Sequence, residues 1–153
     1  MFIDSNLEFC DAASAALDTG DGITKLGNHK DVHPLTGDNA TVDLSGGEPI
    51  YLVIEVTTAF VGSGASYKLD LTTSTETALS GGTTKNIYTT GTLTIGNFTV
   101  GKRFIASLPN EDYHRYLGIR GTATGANVTA GAINAFITKD VTNWTSTNTR
   151  VNV

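Results

Sequence analysis

Residues 50–60, Ile50-Tyr-Leu-Val-Ile-Glu-Val-Thr-Thr-Ala-Phe60, alternate at period two. Ile50, Leu52, Ile54, Val56 and Phe60 fall on one face of an extended chain. Tyr51, Val53 and Ala59 make the opposite face largely apolar as well. A strand that is apolar on both faces has to be covered on both, so this one is expected near the middle of a sheet. Gly46-Gly47-Glu48-Pro49 punctuates its start, and Gly62-Ser63-Gly64 marks a turn after it. The longest unbroken apolar run is Ile50 to Ile54, too short for a helix that spans a membrane.

The segments that follow repeat the pattern. In Tyr67-Lys-Leu-Asp-Leu-Thr-Thr73, Tyr67, Leu69 and Leu71 are expected to face in and Lys68 and Asp70 out, as in an antiparallel strand wetted on one side. Ser80-Gly81-Gly82 is a turn, and Lys85 to Thr90 is a weaker strand that Leu93 and Ile95 continue. Arg103 to Leu108 is another strand, stopped by Pro109-Asn110, and His114 to Arg120 follows. Gly125-Ala-Asn127 reads as a hairpin turn, and Ala130 to Lys139 closes the series with Ile133, Ala135 and Ile137 on one face.

The first third is less regular. Ile3, Ser5, Leu7 and Phe9 alternate and give an N-terminal strand; Ala12 to Leu17 reads as a helical turn or an extended segment. Gly22 to Leu26 is a short strand, and residues 28–47, with their Asn, His, Asp, Pro and Gly, read as a long loop. About eight short strands with Gly-rich turns predict an all-β β-sandwich or barrel. Composition agrees: 25 Thr suit half-buried pleated surfaces, and 17 Gly and 11 Asn suit turns. A chain of 153 residues is one domain's worth and can hold a core.

Charge is sparse, at 16% of residues, and the net charge of −5 argues against a nucleic-acid partner held through phosphates. It is also uneven. Residues 1–62 hold ten acids and two lysines, whereas residues 63–153 hold five acids and eight bases. Two halves of opposite sign suggest head-to-tail contact between copies or docking on a charged partner; the plainer reading is a solvated surface. One cysteine, Cys10, allows no internal disulfide and reads as a buried thiol. Met1 runs into Phe-Ile-Asp-Ser-Asn with no basic or apolar leader, so the protein is expected to work where it is made.

The chemistry-bearing motifs are weak. His29 and His33 stand four apart around Asp31, but Gly27 and Pro34 flank them, so loop polar residues are the better reading and no metal is expected. Asp18-Thr-Gly-Asp-Gly22 lacks the alternate oxygen ligands and closing Glu of a calcium loop. No nucleophile elbow, phosphate loop or dinucleotide fingerprint occurs. Glu111-Asp112 follows a Pro-Asn stop and reads as a turn. No catalytic residue, cofactor or enzyme activity is expected. Tyr51, Tyr67, Tyr88, Tyr113, Tyr116 and Trp144 are candidates for a sugar-stacking platform, which leaves a carbohydrate-binding module as the alternative function.

The order of segments adds a resemblance. Gly47-Glu-Pro-Ile-Tyr-Leu-Val53 runs into Thr57-Thr-Ala-Phe60; then come Leu69-Asp-Leu-Thr-Thr-Ser74, Gly101-Lys-Arg-Phe104, Arg115-Tyr-Leu117 and Thr129-Ala-Gly131. The series resembles the small capsid cement (decoration) proteins of short-tailed, double-stranded-DNA bacteriophages. The opening Asn6-Leu-Glu-Phe-Cys-Asp-Ala12 is similar to their start. The resemblance implies a jelly-roll β-sandwich without enzymatic activity. It also implies binding to the outside of the phage head, where neighbouring copies of the major capsid protein are stapled together. Dimers or trimers, assembly in the host cytoplasm and residence on the virion surface come with it; a nucleic acid or a membrane does not.

Residues 1–139 are then the cement domain and residues 140–153 an extended C-terminal arm. The arm holds the chain's one Trp among Thr and Asn. Asp140, Val141, Asn143, Trp144 and Arg150 are the candidate interaction residues, with Trp144 as an aromatic anchor on another copy or on the capsid protein. The competing reading folds Trp144 back onto its own sandwich.

Overall fold

The computed structural model describes residues 8–16, 22–32, 49–81, 83–139 and 141. Among these residues nine strands follow one another: β1 (Glu8–Ser14), β2 (Gly22–Asp31), β3 (Tyr51–Val61), β4 (Ser66–Ser74), β5 (Thr84–Thr89), the two-residue β6 (Leu93–Thr94), β7 (Arg103–Ser107), β8 (Tyr116–Thr124) and β9 (Ala130–Thr138). A single 3-10 turn, Ile95–Asn97, interrupts them. They form two antiparallel sheets, ordered β1-β9-β3-β7 and β2-β8-β4-β5, with β6 beside β4. The fold is an all-β sandwich.

Leaving β6 aside, the pairing is nested. The first strand pairs the last, β1 with β9; β2 pairs β8, β3 pairs β7 and β4 pairs β5. Successive strands β1 and β2, β3 and β4, and β8 and β9 therefore lie in opposite sheets. The turn at Gly125 to Asn127 is tight, but it passes from sheet to sheet and closes no hairpin. Gly62 to Ala65 does the same between β3 and β4.

As its pattern requires, β3 is interior, between β9 and β7. Leu52, Ile54, Val56 and Phe60 are buried in the core between the sheets, and Val53 is buried on the other face, in register with Phe136 and Ile105. Sheet two answers with Tyr67, Leu69 and Leu71 of β4 and Leu117 and Ile119 of β8. Phe60, Tyr67 and Phe98 pack ring on ring with centroids 4.7 to 5.8 Å apart. Cys10 ties the sheets where β1 meets β2, its thiol donating to the Leu26 carbonyl at 3.2 Å.

Three further expectations need correction. β2 runs on to Asp31, so residues 28–31 are strand and not loop. Backbone pairing to β8 carries this polar segment, with one register shift between Leu26 and Lys30, because an edge strand needs only one partner and tolerates polar side chains. Of the two readings open for Ala12 to Leu17, the extended one holds for Ala12 to Ser14, which end β1. Asp70 is buried rather than facing solvent. It sits in an interior strand with Arg120 and Thr89 as register neighbours, and the Lys68 ammonium lies 3.0 Å from its carboxylate. Finally, β4 is not wet on one side: Thr72, Thr73 and Ser74 are buried as well. Their hydroxyls are satisfied, Thr72 by Asn86 Oδ1 (2.9 Å), Thr73 by the His114 and Tyr116 carbonyls (3.1 and 3.2 Å) and Ser74 by the Gly81 carbonyl (3.3 Å).

Candidate interaction surfaces

Nested pairing gives the sandwich two distinct ends. One gathers the connections β3–β4, β5–β7 and β8–β9; the other gathers β4–β5 and β7–β8 together with the ends of β2 and β9.

The second end is rich in charge, and much of it is paired within the chain. The Arg115 guanidinium donates from Nε to Asp31 Oδ2 at 3.1 Å and lies over the Tyr116 ring, 5.2 Å from its centroid. The other side of this group is His29, edge-on to Tyr116 at 5.3 Å. Lys25 Nζ reaches His29 Nδ1 and the Thr77 carbonyl, each at 3.3 Å. Partial burial, with the Lys25 ammonium adding to it, holds His29 below its ordinary pKa, so the imidazole is neutral and accepts from Lys25. Lys85 and Glu111 pair at 2.6 Å across the same end. On the outer face of sheet one, Arg103 donates from Nε and Nη2 to Glu55 Oε1 at 3.0 and 2.9 Å.

These pairs reinterpret the uneven charge. Asp31 and Glu55, from the acidic first part, bind Arg115 and Arg103 from the basic second part. Antiparallel nesting brings early strands against late ones, so part of the asymmetry is cancelled inside one chain. Solvent-screened pairs at the surface contribute about 0–1 kcal/mol each, enough to fix local geometry but not to hold the fold.

The chemistry-bearing residues are dispersed. Cys10 is buried, and that burial, with the Glu8 carboxylate adding to it, pushes its thiol up to about 12. A thiol held protonated at neutral pH is a poor nucleophile. His29 lies on β2; His33, Asp18 and Asp21 lie outside the described residues. Among the described residues no three His, Cys, Asp or Glu side chains gather as metal ligands. The tyrosines are dispersed: Tyr67 and Tyr113 are fully buried, Tyr113 donating to the Pro109 carbonyl at 2.7 Å, Tyr88 and Tyr116 are half-buried on sheet two, and Tyr51 lies on sheet one. Fully buried rings cannot stack on a sugar, so Tyr67 and Tyr113 are not available for it; Trp144 lies outside the described residues. Among the described residues no helix is long and apolar enough to cross a membrane.

Of the candidate arm, Val141 is described and is half-buried just past β9; Asp140, Asn143, Trp144 and Arg150 lie outside the described residues. The sequence reading missed Leu79. It is fully buried at a positive φ of 57° in the β4–β5 connection, apart from the main core, with its Cδ1 where a Gly118 side chain would be. One lone Leu in Thr-Glu-Thr-Ala-Leu-Ser carries no periodicity, so the only available signal was an apolar residue in a turn.

A search of curated proteins found no match to the chain. The Bbp16 family model matches residues 17–137, from the connection after β1 to the end of β9. That span is most of the chain and most of both sheets, and the protein belongs to the phage-associated Bbp16 family.

Proposed function

We propose that this protein is a non-enzymatic structural component of a phage particle that binds the outside of the head. There it staples neighbouring copies of the major capsid protein and stiffens the shell against packaged DNA. Membership of a phage-associated family across residues 17–137 carries this reading, and the two-sheet sandwich is compatible with it. The nested strand order supports reading the sandwich as a jelly roll, a wiring of two Greek keys used by capsid domains. A staple needs a stiff body with contacts at separate points, and simultaneous contacts raise avidity even when each is weak. In this reading the protein acts as a dimer or trimer, with the arm from residue 140 as one contact and no nucleic acid or membrane among its partners.

The test adds purified protein to DNA-free shells of the cognate major capsid protein. Co-sedimentation at saturable stoichiometry and a higher temperature of shell disruption are expected. Shells that neither bind the protein nor gain stability would refute the reading.

A further inference from the structure

Leaving the two-residue β6 aside, the sheets have four edge strands among the described residues: β1 and β7 in sheet one, β2 and β5 in sheet two. An edge strand offers its backbone groups to any strand that approaches, and proteins guard such edges with bulges and charge. Three of the four are guarded in this way. β1 makes two register shifts along β9, carries Glu8 and Asp11, and holds Ala12 at a positive φ of 46°. β2 makes one shift along β8 and carries Lys25, Lys30 and Asp31. The pairing of β5 with β4 also shifts once, and β5 carries the exposed Lys85. β7 differs from all three. It runs beside β3 without a shift, from Arg103 opposite Glu55 to Ser107 opposite Tyr51. Its one charge, Arg103, is held by Glu55 at 2.9 Å, and Phe104, Ile105 and Ala106 between them are apolar and half-buried.

The backbone of β7 has a definite phase. Leu108 N–H donates to the Ile50 carbonyl and Val56 N–H to the Lys102 carbonyl, each at 2.9 Å. The even-numbered residues of the strand therefore turn their backbone groups to β3, and Ile105 and Ser107 turn theirs away from it. The side chains fit a second β7. Antiparallel pairing about a two-fold axis at Ile105 sets Ile105 opposite itself, Phe104 opposite Ala106 and Arg103 opposite Ser107. Aliphatic meets aliphatic, a large ring meets a methyl group, and no like charges face each other. This register also makes Ile105 a hydrogen-bonded pair with its own copy, which is the phase that its outward backbone groups require. The neighbouring registers set Arg103 opposite Ile105 or opposite Pro109, which has no N–H to give.

We infer that β7 pairs with β7 of a second copy, joining sheet one of two protomers into one continuous antiparallel sheet across a two-fold axis. The inference rests on the self-association in the proposed function and deepens it. It names the strand and the register, and it selects a dimer over a trimer, because an edge that pairs with itself is occupied by one partner and the assembly closes there. The guarded edges at β1, β2 and β5 oppose further growth by the same route.

Sedimentation velocity of the full chain over a range of concentrations, with amide hydrogen exchange on the same samples, tests this. Wild type should pass from monomer to dimer, and the Ile105 and Ser107 amides should exchange more slowly as the dimer fills. Ile105→Lys and Ile105→Glu should each raise the dimer dissociation constant about tenfold or more, because each sets like charges opposite across the axis. Mixing the two folded variants should restore a dimer, since lysine then meets glutamate. Ser107→Pro removes an N–H that points away from β3, so it should weaken the dimer while leaving the unfolding midpoint unchanged. A wild type that stays monomeric or forms a trimer overturns the inference. A dimer whose Ile105 and Ser107 amides exchange as fast as in the monomer overturns it too, with no substitution needed. So does a mixture of folded variants no more dimeric than either alone. Shell binding is measured separately on wild type: a monomer that binds shells removes the pairing and keeps the shell-binding reading, and a dimer that ignores shells does the reverse.

Discussion

Tyr67 is buried in the core with a hydroxyl that has no hydrogen-bond partner, and it fits because Gly121, across the sheet on β8, has no side chain. A Cβ at Gly121 would collide with the hydroxyl and crowd the ring. Gly121→Ala should therefore destabilise by about 1–3 kcal/mol in denaturant unfolding, as overpacking does. Tyr67→Phe should be neutral or stabilising, because it removes a buried polar group that forms no bond, and it should recover part of the Gly121→Ala loss. An unchanged unfolding midpoint in Gly121→Ala would show that the two residues do not face each other. Ile54→Ala, in the fully buried middle of β3, should cost about 2–5 kcal/mol; a loss below about 0.5 kcal/mol would remove β3 from the core. Ile54 and Val56 were legible because alternation states which face a residue takes. Asp70 was not, because alternation gives the face but not the cover: its own neighbours in an interior strand bury it. Tyr67 was legible as inward-facing, whereas its dependence on Gly121 joins residues 54 apart and leaves no local pattern.

At the scale of elements, the long strands were readable and their partners were not. The two-faced apolarity of β3 announced an interior strand, and the breaks at Gly62 to Gly64 and Pro109-Asn110 fall between observed strands. The polar half of β2 was unreadable, since an edge strand held by backbone pairing needs no apolar repeat. Gly125 to Asn127 resembled a hairpin because a tight turn looks alike within a sheet and between two. Leu79 was equally hidden, and it makes a prediction at this scale. If it anchors the β4–β5 connection over Gly118, Leu79→Ala should destabilise by about 2–5 kcal/mol and expose the connection to proteolysis before the rest of the sandwich. Equal protease resistance in mutant and wild type would contradict that anchoring. His29 on β2 gives the connection a pH dependence. Its pKa is lowered in the folded chain, so the unfolded chain takes up the proton first and the stability from neutral His29 is lost as pH falls below about 6.5 toward the lower folded value. The unfolding midpoint should fall across that window, and His29→Asn should flatten the fall. An identical pH profile in the variant would assign the titration to other groups.

The whole molecule is a two-sheet sandwich in which acids of the early segments lie against bases of the late ones. Sequence made the all-β class visible through strand spacing, whereas the nested order emerges only from the strand pairing. The charge pairing was not visible, because Glu55 and Arg103, or Asp31 and Arg115, meet only once nesting brings their segments together. The candidate site in the arm, Asp140, Asn143, Trp144 and Arg150, lies outside the described residues, so its role stands on composition alone. Truncation after Asp140 should leave a folded sandwich that binds shells more weakly, and Trp144→Ala should reproduce much of that loss. A truncated chain that binds as tightly as the full one would show the arm is no anchor, and one that unfolds would show Trp144 covers its own sandwich. The claim that joins these scales is that the chain is an external staple of the phage head. A cryo-electron microscopy map of the mature head, with and without this protein, tests it most directly. The account predicts difference density on the outer surface that bridges neighbouring capsid subunits and fits this sandwich. Density inside the shell or confined to the tail, or heads identical with and without the protein, would contradict it.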